Sequence, residues 1–125
     1  MRPVDQTKYG RHDGNCFSAC LASILELSID EVPLFLGPYW DDFLPWLAER
    51  RLAASLYRRN DYIPPGYSIA GGVSKRFGDR MHACVAYAGV VVHDPHPSRE
   101  GLPSGVLEYV VLHGLCGEAL WFSGL

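Results

Sequence analysis

The chain has 125 residues, with 14 acidic against 11 basic side chains and a formal net charge of −3. This is the usual size of one domain and is long enough to bury a core without crosslinks. The acidic balance gives no support to a nucleic-acid or anionic-membrane surface, and no apolar run reaches the ~20 residues that span a bilayer. Arg50, Arg51, Arg58 and Arg59 read as a solvated face. The polar first ten residues lack the apolar stretch of a targeting segment. The four cysteines, Cys16, Cys20, Cys84 and Cys116, are therefore expected to be thiols of a soluble, cytoplasmic protein.

Residues 1–13 are polar and rich in turn formers. Gly14 and Asn15 then open a helix expected over 16–27, with Asn15 as its N-cap. Phe17, Leu21, Ile24 and Leu25 follow helical spacing, with the small residues Cys16, Cys20 and Ser23 beside them. Residues 28–33 suit one short turn, with Asp30 and Glu31 at its start. A second helix is expected over 39–51, started or kinked by Pro45. Its aromatic residues Trp40, Phe43 and Trp46 read as core.

From residue 52 the apolar period changes to two. Strands are expected over 52–57, over 67–70 (closed by Gly71 and Gly72), over 81–88, over 90–93 and over 106–112, with another at 119–122. Along 81–88, His82, Cys84 and Ala86 share one face and Ala83, Val85 and Tyr87 the other. Helices first, then strands joined by short turns, predict a single α+β domain with an antiparallel sheet.

Three residues in this frame carry chemistry. Cys16 falls in the first turn of a helix, where unpaired N–H groups and the positive dipole end favour the thiolate and can stabilise an oxyanion. His82 starts a strand after a polar loop, and its ordinary pKa suits a general base. Asp94 follows the returning strand. A turn near 88–90 sets it opposite His82, where a carboxylate can hold the ring's tautomer. Each alone also fits a plain role: a buried thiol, a structural histidine, a turn starter. Together they make a nucleophile, a base and an orienting group in the order Cys…His…Asp.

The segment from Gln6 through Gly14-Asn15-Cys16-Phe17-Ser18-Ala19-Cys20-Leu21-Ala22 resembles the nucleophile helix of papain-like cysteine peptidases. Met81-His82-Ala83-Cys84-Val85 and Val92-His93-Asp94-Pro95 look like that family's histidine strand and Asp-Pro strand end. The look is closest to bacteriocin-leader-processing and phage or bacterial papain-like proteins. The resemblance implies a papain-like core in which Cys16 is the nucleophile, His82 the base and Asp94 the orienter. It also implies that Gln6 donates to the oxyanion, although Gln6 lies ten residues before Cys16, across a longer loop than the pattern has.

The resemblance implies a peptidase or amidase that forms a thioester with a peptide or amide substrate and needs no cofactor. The substrate, whether a peptide, a cell-wall amide or a protein tail, stays open. So do two rivals: an inactive papain-like binding module, and a structural zinc site on Cys16, Cys20, His82 and Cys84. Gly71 and Gly72 lack the surroundings of a nucleotide-phosphate loop.

Overall fold

The computed structural model describes residues 1–10, 14–35, 40–75 and 80–116. Among these lie helices α1 (Cys16–Leu25) and α2 (Trp40–Ala48), and strands β1 (Leu52–Arg58), β2 (Tyr67–Ser74), β3 (Arg80–Tyr87), β4 (Val90–His93) and β5 (Glu108–Gly114). The strands form one sheet in the order β1-β5-β2-β3-β4, with every neighbouring pair antiparallel. The chain is thus an α+β protein. No helix among the described residues is long and apolar enough to cross a membrane. The strand expected at 119–122 lies outside the described residues.

One sheet face carries the helices. Leu21 and Ile24 of α1, Phe43 and Leu47 of α2, and Ile69, Ala83, Val85, Val110 and Leu112 of the sheet form the main core. Each large side chain buried this way contributes about 1.5–3 kcal/mol. Trp40 and Trp46 pack against that core, as their helical spacing predicts. The opposite strand face holds a smaller cluster of Ala70, Ala86 and Tyr109 under Leu102 and Val106. The expected alternation along β3 therefore holds for Ala83 and Val85 against Ala86.

Three expectations need correction. β2 does not close at Gly71 and Gly72 but runs through both to Ser74. The loop before β5 presses on them: a Cβ on Gly72 would lie 2.5 Å from the Gly105 carbonyl oxygen, and the Leu107 N–H donates to the Gly71 carbonyl at 2.8 Å. The glycines mark a close backbone approach inside a strand, not its end. Second, α1 stops at Leu25, because Glu26 turns left-handed at φ 57°. Third, the β3–β4 register slips. Tyr87 pairs with Val90 and Ala86 with Val91, but Val85 pairs with His93, so Val92 is an extra, bulged residue. The register thus carries Asp94 toward Cys84 rather than squarely opposite His82. α2, for its part, continues through Pro45 and forgoes the one ladder bond its missing N–H would make.

Candidate active site

β4 is short. Its bulge and the imide nitrogen of Pro95, which cannot donate, end its pairing at Val85 of β3. Residues 80–84 of β3 consequently have β2 on one side and no strand partner on the other among the described residues. The first turn of α1 lies along that open edge. Cys16, the first helical residue, is half-buried, and its thiol meets the His82 ring and the backbone of Ala83 and Phe17.

Asn15 occupies the N-cap position, as expected, and its carbonyl accepts from the Ala19 N–H at 2.9 Å, but its side chain makes no capping bond. Its carboxamide faces the chain before it. Oδ1 accepts from the Thr7 and Lys8 N–H groups at 3.0 and 2.9 Å, and Nδ2 donates to Thr7 Oγ1 at 3.0 Å. The Asn15 side chain thus does not cap the first turn of α1, where the Phe17 backbone bonds the Cys16 sulfur. Gly14 is required by its own chain, since a Cβ there would sit 2.7 Å from the Gly10 carbonyl oxygen.

His82 is 7% exposed and Asp94 4%. His82 Nε2 donates to Asp94 Oδ1 at 2.7 Å. A carboxylate can only accept, so Nε2 carries the hydrogen and Nδ1 is the ring nitrogen left for the thiol. Asp94 Oδ1 also accepts from the His96 N–H at 2.9 Å, and Oδ2 from the Gly101 N–H at 2.8 Å. The bond to His96, two residues on, is an Asx turn, so Asp94 starts a turn and holds the histidine at once.

These contacts set the charges. Burial pushes the Cys16 thiol up, but the hydrogen bond and charge of His82 and the backbone bonds outweigh it, and the thiol lies below its ordinary value. Burial pulls His82 down, yet the Asp94 and Cys16 bonds raise it to about 11. Burial raises Asp94, and its hydrogen bonds from His82, His96 and Gly101 hold it at about 2. Cys20 and Cys84 both move up through burial. Of the three thiols that shift, Cys16 is the one prepared to ionise.

Gln6 is 6% exposed and lines a hollow of about 180 Å³ together with Cys16 and His82. Its N–H donates to Pro95 O at 3.1 Å and its Nε2 to Lys8 O at 2.9 Å. The second hydrogen on Nε2 is the one an oxyanion could take. The longer loop before Cys16 therefore does not keep Gln6 from the site's surroundings.

The arm bearing Gln6 is fastened along its length. His93 Nε2 donates to Val4 O at 2.9 Å, and Ser23 Oγ accepts from the Val4 N–H at 2.9 Å. Arg99 grips both Asp5 carboxylate oxygens, at 2.6 and 2.8 Å, and donates to Asp94 O at 2.6 Å. No sequence signal pointed to Arg99, because this pairing spans most of the chain.

His82, Cys84 and Asp94 offer ligand atoms within 4.8 Å of one another. Two ligands on one zinc ion stand about 3.3 Å apart at ordinary bond lengths. His82 and Asp94, at 2.7 Å, are instead bonded to each other. Comparisons with protein-family models, with curated proteins and with solved structures find no match.

Proposed function

We propose that the chain is a cysteine hydrolase, a peptidase or amidase with a papain-like core, working through a Cys16–His82–Asp94 triad. The observation that carries this reading is the 2.7 Å bond from His82 to a buried Asp94, on a ring whose other nitrogen is left for a thiol at a helix start. A lowered thiol beside a raised imidazole favours a thiolate–imidazolium pair near neutral pH.

In the acylation step the Cys16 thiolate attacks the substrate carbonyl, and a C–S bond forms as the oxygen takes the carbonyl electron pair. In this reading the oxyanion is held by the Cys16 backbone N–H and by the Gln6 side-chain amide. As the intermediate collapses, the C–N bond breaks and the imidazolium gives its proton to the leaving amine. The thioester is released by a water molecule that His82 deprotonates, with Asp94 steadying the imidazolium.

The test is covalent labelling of the full chain by a peptidyl epoxide probe, read by intact mass and peptide mapping. Wild type should take one label on Cys16, Cys16→Ala none, and His82→Ala far less than wild type. Equal labelling of all four cysteines would count against a catalytic thiol.

A further inference from the structure

Cys84 is a buried thiol that the proposed mechanism leaves unused. It lies two residues after His82 on β3 and is 0% exposed. Its sulfur, a His82 ring nitrogen and an Asp94 oxygen all lie within 4.8 Å of one another. The His82 ring bonds two thiols, Cys16 from α1 and Cys84 from its own strand. The Cys16 sulfur also bonds the backbone of Ala83, the residue before Cys84. Two cysteines from different elements therefore meet at one imidazole.

The two differ in access and in chemistry. Cys16 lines both hollows that open at the site, of about 180 and 270 Å³, and Cys84 lines neither. A small oxidant thus reaches the first sulfur and not the second. Cys16 is also the thiol held toward the reactive thiolate, whereas burial pushes the Cys84 thiol up. Cys20 is a poor partner for Cys16. One helical turn sets their Cβ atoms about 5–6 Å apart, beyond the roughly 3.5–4.5 Å that a disulfide spans. Cys84 stands on a separate strand against which α1 packs, so no intrahelical spacing fixes its distance.

We propose that Cys16 and Cys84 form a reversible disulfide when the site meets a peroxide, which makes the candidate nucleophile a redox switch. First, the Cys16 thiolate attacks a peroxide oxygen and the O–O bond breaks. The departing hydroxide takes the imidazolium proton of His82, leaving sulfenic acid and water. Next, Cys84 gives its proton to His82 and its sulfur attacks the Cys16 sulfur. The S–S bond forms, the S–O bond breaks, and the hydroxide takes the proton back from His82 and leaves as water. The two cysteines lose two electrons, and one peroxide becomes two waters. The bond spares Cys16 from sulfinic acid, which ordinary thiols do not reverse. The proposal uses the reactive Cys16 thiol of the functional reading but no hydrolytic step.

The test treats the reduced full-length chain with a few equivalents of hydrogen peroxide. Remaining thiols are blocked with N-ethylmaleimide in denaturant, and peptides are mapped without reduction. Wild type should show Cys16 joined to Cys84, and dithiothreitol should restore nearly all Cys16 labelling by iodoacetamide. Cys20→Ala should keep the link. Cys84→Ala should form none, and its Cys16 should pass to sulfinic acid and lose labelling for good. Cys84→Ser serves if the alanine variant does not fold, and the wild-type map needs no variant. Wild-type Cys16 that reaches sulfinic acid with no link to Cys84, or a link lost in Cys20→Ala, overturns the proposal. If reduced Cys16 still takes the epoxide probe in that case, the hydrolase reading stands. A Cys16 inert to both peroxide and epoxide overturns both.

Discussion

Replacing Asp94 by Asn removes one charge and little volume from the centre of the site. The carboxylate accepts from His82, His96 and Gly101, and its charge supports the imidazolium that holds the Cys16 thiol down. A hydrogen bond to a charged group is worth about 1.5–3 kcal/mol. At about 1.4 kcal/mol per pKa unit, losing it should move the thiolate–imidazolium balance by roughly 1–2 units. The Cys16 midpoint should rise by that amount, and below both midpoints iodoacetamide should react roughly 10- to 100-fold more slowly. The assay is the rate of Cys16 carbamidomethylation across a pH series, read by peptide mass spectrometry. Buried Cys20 and Cys84 serve as internal references. A folded Asp94→Asn protein whose Cys16 midpoint and rate match wild type would refute the reasoning.

The same variant has a stability signature. The folded chain holds the Asp94 carboxyl at about 2 against an ordinary 3.8, so its contribution is whole above about pH 5 and fades as pH falls toward 2. The gap in thermal midpoint between wild type and Asp94→Asn should be steady near about pH 5–6 and close in strong acid. Asn15→Ala strips three hydrogen bonds from the Thr7–Lys8 segment and should cost roughly 2–3 kcal/mol in urea unfolding. Gly72→Ala forces a methyl group to within 2.5 Å of the Gly105 carbonyl oxygen, so its urea midpoint should fall by the equivalent of about 1–3 kcal/mol. Arg99→Ala should leave the thermal midpoint nearly unchanged, since the Asp5 pair is exposed. It should still slow Cys16 labelling several-fold by loosening the Asp94 loop, with Arg99→Lys restoring part of the rate.

Local pattern carried much of the fold. The apolar spacing of residues 17–25 predicted α1, and the alternation along 81–87 predicted β3 and its two faces. The tight turn at Ala88 and Gly89 predicted the hairpin and hence the meeting of His82 with Asp94. Some failures arose from partners outside the local pattern, and others, such as the left-handed Glu26 that ends α1, from local backbone turns that apolar spacing does not show. Gly71 and Gly72 read as punctuation because nothing local announces the loop that presses on them. Asn15 takes the N-cap position that the pattern predicts, but the Thr7–Lys8 backbone that recruits its side chain is not visible as a partner. The bulge at Val92 breaks a register that counting from the turn assumes to be regular. Arg99 was invisible for the same reason: its value lies in joining residue 5 to residue 94.

That clasp changes what the first eight residues are. They form no helix or strand, and in a gel or a domain map they would pass for a dispensable leader. Yet they fill the Ser23 hydroxyl, occupy the Asn15 carboxamide and pin the turn after β4. Trimming the chain to begin at α1 would expose buried donors and acceptors on two separate elements at once. Expression designs for this protein should therefore place tags at a distance from residue 1 and leave the opening segment whole.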